Sequence, residues 1–405
     1  MHKTFNVRSD KLAHRKRLSR FIRLMERFRP LELPVTHRHN SVELFQGGRE
    51  FFETFFSAIR SAEQTILLEY YLIHNDHLGA GLANELTAAV QRGVSVKLIY
   101  DYIGCIETPA SYFKKLSKQG VELLHFNVPS FKRGFYWFDK RDHRKMMIVD
   151  DSLAFLGGFN IGDEYAGCMA EKMSFRDLGF SIRGEAVCEL KSIFYDTWHG
   201  EKDENYSRPM TEPWPRQCDS KIGDAAVNII SGGPRQRRSY IREAFQVNIA
   251  SAAEEILIAT PYFVPGPRII RSLLRAVRRG VRVRLLLPAR SDVPLILLLG
   301  RISYSALLRG GVEIFELERE ILHAKVMLID AERAVIGSAN LDQRSFHRNF
   351  EINCMVDNVQ FGRQVRELLL EEIDGARVVE LDVHERRGFL IRIMERIVNL
   401  FGWFL

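Results

Sequence analysis

Residues 143–160 read HRKMMIVDDSLAFLGGFN, and residues 323–340 read HAKVMLIDAERAVIGSAN. Five residue types return at the same offsets 180 positions later: His143 and His323, Lys145 and Lys325, Asp150 and Asp330, Gly157 and Gly337, Asn160 and Asn340. At ordinary residue usage one such match arises by chance roughly once in a million start positions. The chain therefore carries a duplication. Each copy is a short apolar run after the His-x-Lys unit, then an Asp-led turn and a second apolar run, which is the pattern of two paired strands.

Working outward, the same order of elements precedes each copy. In the first half, Ser41–Phe45, Thr65–Ile73, Val94–Asp101 and Val121–Phe126 read as strands. The helical stretches between them are Arg49–Ala62, Leu78–Arg92 and Ala110–Gln119. In the second half the strands are Val227–Ile230, Ile256–Ala259, Val281–Leu287 and Val312–Leu317, with helices at Ser239–Ala252, Arg268–Arg279 and Tyr304–Arg309. The junctions repeat too: Arg92-Gly93-Val94 matches Arg279-Gly280-Val281, and Gly120-Val121-Glu122 matches Gly311-Val312-Glu313. This alternation predicts an α/β fold of two duplicated lobes, each a mainly parallel central sheet flanked by helices. The expected division is an arm at 1–38, a lobe at 39–200, a polar linker at 201–223, a lobe at 224–385 and a tail at 386–405.

In a strand, residues i and i+2 share a face, so each His lies on the same side as its Lys. Lobes packed about a pseudo-two-fold axis bring both faces into one cleft. Two imidazoles, two ammonium groups and the amides of Asn160 and Asn340 suit an oxyanion of phosphorus: lysines neutralise its charge and amides donate hydrogen bonds. Gly157-Gly158 and Gly337-Ser338 are read as letting the backbone approach the same group. No metal or other cofactor is expected, since lysines beside the histidines repel a cation. One neutral histidine can attack phosphorus while the other, protonated, serves the leaving oxygen. A carboxylate at each imidazole would orient it, and Asp177 and Glu351, each about thirty residues after a motif histidine, are the candidates. Asp150 and Asp330 stand at odd offsets from their lysines, which suits holding the turn better than chemistry.

Charge is uneven. Residues 1–30 hold ten Lys/Arg against Asp10 and Glu26, so the remaining chain is close to neutral although the total is +7. A duplex-binding enzyme spreads positive charge over its body, so nucleic acid is not the expected partner. The arm reads as a basic amphipathic helix, with Leu18, Phe21, Ile22, Met25 and Phe28 on one side, suited to an anionic membrane surface. The tail, GFLIRIMERIVNLFGWFL, is too short and too charged to span a bilayer and suits its interface. Five scattered cysteines make no framework of disulfides, and no apolar core follows the basic start as in a secretory leader. A reducing, cytoplasmic setting follows. Pro129–Lys140 (PSFKRGFYWFDK) reads as a membrane or acyl contact, and Pro294–Leu299 (PLILLL) as a buried helix.

The paired motifs resemble the two HKD motifs of the phospholipase D superfamily, over about residues 41–380. Within it the chain is most similar to bacterial cardiolipin synthases lacking two N-terminal transmembrane helices. That likeness rests on Gly-Gly and Gly-Ser after the motifs, on the ILLEYYLIHND and RGVSVKLIYD blocks and on length. The resemblance implies two phospholipase D-like lobes with the active site at their interface. It implies that His143 is phosphatidylated, that His323 is the general acid/base, and that Lys145, Lys325, Asn160 and Asn340 hold phosphate. It further implies that Asp177 and Glu351 orient the histidines and that Asp150 and Asp330 complete the motifs' catalytic set. The pseudo-symmetry leaves the two histidine roles exchangeable. The implied substrate is a phospholipid, phosphatidylglycerol or phosphatidylethanolamine, with a second phosphatidylglycerol as acceptor. The implied place is the cytoplasmic face of the bacterial inner membrane, with oligomers permitted. Hydrolysis to phosphatidic acid, a nuclease and a non-catalytic membrane scaffold are the competing readings.

Overall fold

The computed structural model describes residues 35–129, 139–167, 174–202, 222–234 and 239–388. The arm up to residue 34, the aromatic stretch 130–138, the linker at 203–221 and the tail from 389 lie outside them, as do Cys168 and Cys218.

Among the described residues the first half supplies eight strands: β1 (Thr36–Phe45), β2 (Thr65–Tyr70), β3 (Ser95–Asp101), β4 (Glu122–Phe126), β5 (Lys145–Val149), β6 (Leu153–Gly157), β7 (Phe175–Arg176) and β8 (Gly179–Arg183). The second supplies nine: β9 (Ala225–Gly232), β10 (Glu255–Ala259), β11 (Arg282–Pro288), β12 (Glu313–Leu317), β13 (Ile321–Leu322), β14 (Val326–Ile329), β15 (Arg333–Gly337), β16 (Glu351–Asp357) and β17 (Arg377–Val378). All but β7 and β13 join one sheet, in the order β17-β12-β11-β10-β14-β15-β16-β9-β1-β8-β6-β5-β2-β3-β4. The order reads alike outward from the central β9–β1 pair, so the duplication is visible as a two-fold arrangement of strands. Within this sheet, parallel pairing is confined to β2–β3–β4 and β10–β11–β12. The motif strands and everything toward the middle pair antiparallel. The parallel character expected of each lobe thus belongs to its outer strands. β1 also begins at Thr36, inside the segment expected to be arm, because its first residues pair with β9.

Alternation along each strand feeds two layers of core. Met146 and Ile148 of β5 join Val326 and Leu328 of β14 in one core that runs across both lobes. The helices Ala186–Lys202 and Val359–Asp374 cover it, through Val187, Leu190 and Phe194 of the first and Phe361, Val365 and Leu369 of the second. Met147 and Val149 face the other way, into a core of the first lobe, and Met327 and Ile329 into that of the second. The repeated glycines at the junctions have one cause. Gly93, Gly120, Gly280 and Gly311 follow helix ends with φ of 93°, 97°, 87° and 85°, the left-handed conformation that ends a helix at least cost for glycine. Among the described residues no helix is long and apolar enough to cross a membrane. Cys105 and Cys354 are free and buried.

Candidate active site

His143 lies in the extended segment entering β5, and Lys145 is the first residue of that strand. A parallel bridge joins Asp142 to Phe350, with the Phe350 amide donating to the Arg141 carbonyl (2.8 Å) and the His143 amide to the Phe350 carbonyl (2.9 Å). The second lobe mirrors this: β13 pairs parallel with β7, and the His323 amide donates to the Arg176 carbonyl (2.8 Å). Each motif thus lies against the other lobe's segment that ends in a carboxylate, Glu351 after Phe350 and Asp177 after Arg176.

The carboxylates are accordingly exchanged between lobes. His143 Nδ1 lies 3.1 and 3.0 Å from Oε1 and Oε2 of Glu351, and His323 Nδ1 lies 2.5 Å from Oδ2 of Asp177. Donation from Nδ1 to a carboxylate fixes the tautomer and leaves Nε2 of each ring for chemistry. Glu351 also accepts from Ser338 Oγ (2.5 Å), Ser345 Oγ (2.8 Å) and Asn349 Nδ2 (3.3 Å). At the matching position the first lobe has Gly158, where a Cβ would stand 2.1 Å from Asp177 Oδ1. The Gly/Ser difference therefore serves the carboxylates: the glycine makes room for one and the serine bonds the other. This corrects the expectation that these residues admit the substrate's phosphate.

Lys145 Nζ donates to the His143 carbonyl (2.7 Å), and Lys325 Nζ lies 2.8 and 3.2 Å from Nδ1 and Nε2 of His323 and 3.8 Å from Asp177 Oδ2. Burial pushes His143 down to about 4, with Glu351 opposing and the charges of Lys145 and Lys325 adding to the fall. Burial, then Lys325, lowers His323 against the pull of Asp177. Burial takes Lys145 down to about 7 and lowers Lys325. For Glu351 burial raises, but His143, Lys145 and the Ser338 hydroxyl together hold the carboxyl below its usual range. Mutual influence among His143, Lys145 and Lys325 places both motifs in one electrostatic site. A buried set of basic groups with depressed basicity is what an arriving anion would restore to full charge.

Asn160 donates from Nδ2 to Tyr165 Oη (2.8 Å), and the side-chain oxygens of Asn160 and Asn340 are both buried without a partner. Asp150 and Asp330 are elsewhere. Asp150 accepts from the amides of Glu63, Gln64 and Thr65 (2.9, 2.7 and 2.8 Å), and Asp330 from those of Ala253, Glu254 and Glu255. Both sit at the far end of the motif strand in left-handed turns, φ 47° and 52°. In this structure they anchor the segments entering the neighbouring strands β2 and β10. Three aromatic neighbours escaped the sequence reading: Tyr71, 5.0 Å from the His143 ring, and Tyr165 and Phe175, each 5.3 Å from that of His323. The Lys145 ammonium lies 5.2 Å from the Tyr71 ring. The PLILLL run forms a helix, Pro294–Arg301, with Ile296 and Leu299 buried and Leu295 exposed.

The family described as "Cardiolipin synthase, PLD-like domain" matches residues 55–184 and 246–372, one segment in each lobe. A cardiolipin synthase of Geobacillus kaustophilus is 35% identical over 353 residues, 87% of this chain and 70% of that protein. Cardiolipin synthase A of Pseudomonas syringae is 33% identical over 350 residues, 86% of this chain and 72% of that one. The crystal structure of a phosphatidylserine synthase from Haemophilus influenzae superposes with a TM-score of 0.69 at 15% identity, covering 95% of this chain and 97% of that one. A polyphosphate kinase from Porphyromonas gingivalis reaches a TM-score of 0.56 at 13% identity, over 90% of this chain and 55% of that one. These two likenesses concern the fold. With both segments matched and relatives aligned across most of the two lobes, the chain belongs to the cardiolipin synthase, PLD-like domain family.

Proposed function

We propose that this protein is a cardiolipin synthase, moving the phosphatidyl group of one phosphatidylglycerol onto the primary hydroxyl of another and releasing glycerol. The observation that carries the reading is the exchange of Glu351 and Asp177 between lobes, which leaves two imidazole Nε2 atoms and two lysines for one phosphodiester. His143 Nε2 attacks phosphorus, an N–P bond forms and the P–O bond to glycerol breaks. His323 gives that oxygen its proton. The second phosphatidylglycerol then loses its hydroxyl proton to His323, its oxygen attacks phosphorus, and the N–P bond breaks.

Both histidines are depressed in the unliganded protein, which suits a nucleophile that must be neutral. The phosphodiester anion raises the basicity of the imidazole beside it, so His323 takes up its proton as substrate binds. Lys145, Lys325, Asn160 and Asn340 hold the phosphate oxygens. The anionic membrane surface is the place of work, engaged by the apolar termini, and the cytoplasmic face is the expected side. Protease protection in spheroplasts against inverted vesicles tests that side.

The test is incubation of purified protein with phosphatidylglycerol vesicles in chelator, with mass spectrometry of lipids and glycerol. Cardiolipin and glycerol in equal amounts, lost in His143→Ala and His323→Ala, is the expected result. Phosphatidic acid alone means a hydrolase, turnover only with phosphatidylethanolamine added means another donor, and cleavage of single-stranded DNA with no lipid product overturns the lipid reading.

A further inference from the structure

The two motifs differ beneath their histidines. The 180-residue offset places Leu322 and Ala324 where the first lobe has Asp142 and Arg144. Strand register places Ala259 opposite Val326 where Glu69 stands opposite Met146. The second lobe is thus apolar here, while the first buries three ionisable groups, Glu69, Asp142 and Arg144, at 0%, 0% and 4% exposure.

Arg144 is bonded on both sides of the lobe boundary. Within its own lobe Nη1 donates to Glu69 Oε1 (3.1 Å) and Thr197 Oγ1 (2.7 Å). Toward the other lobe Nη2 donates to Ser231 Oγ (2.8 Å) and Nε to the Glu351 carbonyl (3.4 Å), with the guanidinium 5.3 Å from the Phe350 ring. The residue between His143 and Lys145 therefore grips the backbone of the glutamate that orients His143. Asp142, on the other side of His143, is held by its amide on Asp101 Oδ2 (2.9 Å). Asp142 Oδ2 and Glu69 Oε2 are buried without a donor in the structure, and one proton shared between the two carboxyls satisfies both. Burial raises Glu69, and burial together with the Glu69 charge raises Asp142 well above the usual carboxyl range, which favours that shared proton.

Such a network carries a desolvation cost, and the second lobe fills the same place with apolar side chains, so packing alone does not demand it. We propose that Arg144, paired with Glu69, is a positioning residue that holds the backbone of Glu351 and so sets His143 for its attack on phosphorus. The inference rests on the two-histidine reading above. A nucleophile misplaced by about 1 Å loses on the order of a hundredfold in rate, whereas the second histidine need only meet an oxygen with a proton.

The test uses the full chain and a phosphatidyl donor with a p-nitrophenolate leaving group, which departs without a proton. The first-turnover burst, the donor KM, thermal melting and the site of the phosphatidyl adduct by peptide mass spectrometry are measured together. His323→Ala is expected to keep the burst, with the adduct on His143, and His143→Ala to lose it. Arg144→Lys keeps the charge beside Glu69 but loses the fork. The double variant Glu69→Gln/Arg144→Met leaves no unpaired buried charge on this pair. Each is expected to slow the burst at least tenfold while donor KM changes less than twofold, and Arg144→Lys carries the test if the double variant fails to fold. A wild-type burst rate in the folded Arg144 variants overturns the positioning role. An adduct on His323, with His143→Ala still bursting, overturns the assignment of the nucleophile. No histidine adduct in any protein overturns the two-histidine reading instead, so the failures are distinguishable.

Discussion

Asp177 and Glu351 each serve the histidine of the opposite lobe, and the surrounding residues are shaped to that exchange. Gly158→Ala is expected to lower activity about a hundredfold or more with the fold retained, because the added Cβ meets the Asp177 carboxylate and dislodges the ring it orients. Activity against circular dichroism checks it. The pH dependence follows from the same burial. A histidine depressed to about 4 is still neutral as pH falls through its ordinary value, so His143 stays able to attack well into the acid range. Lys145, held down to about 7, loses its charge as pH rises through that value, and the lowered His323 loses its proton on the same side. The profile of kcat/KM is therefore expected to peak on the acid side of neutrality, and a maximum above pH 8 contradicts the assignment. His143, Lys145, His323 and Lys325 were legible in the sequence because their chemistry recurs at a fixed offset. Tyr71, Tyr165 and Phe175 were not, since their ring contacts come from segments that only the fold brings beside the histidines.

At the scale of elements, the motif strand does two jobs at its two ends. Its start presents His and Lys, and its end carries an aspartate that receives three amides of the segment entering the neighbouring strand. Asp150→Ala or Asp330→Ala leaves those amides unpaired, at a cost of about 2–4 kcal/mol, and lowers Tm by about 5–10 °C. Well below the melting range kcat is expected to change less than about threefold, and a large loss of kcat with unchanged Tm would return these residues to the chemistry. The odd offset from Lys already pointed this way. The helix ends were legible through their glycines, which have a single steric cause. Strand direction was less so: β5, β6 and β8 are short apolar runs whose periodicity is the same in parallel and antiparallel pairing.

For the whole molecule, the duplication gave the lobes and their pseudo-symmetry, because an internal repeat must bury equivalent faces. It did not give the continuous sheet through β9 and β1, the shared core under the two long helices, or the partner exchange, since spacing along the chain does not say which lobe a carboxylate faces. Neither lobe holds a complete site, since each histidine is oriented by the other lobe's carboxylate. The most direct test is a set of double-mutant cycles on cardiolipin formation from phosphatidylglycerol. His143→Ala with Glu351→Gln, and His323→Ala with Asp177→Asn, are expected to be strongly non-additive, each double variant scarcely worse than its histidine variant. The within-lobe carboxylate pairings are expected to couple more weakly. Additive losses across the lobes, with strong coupling of His143 to Asp177 and of His323 to Glu351, would contradict the composite site.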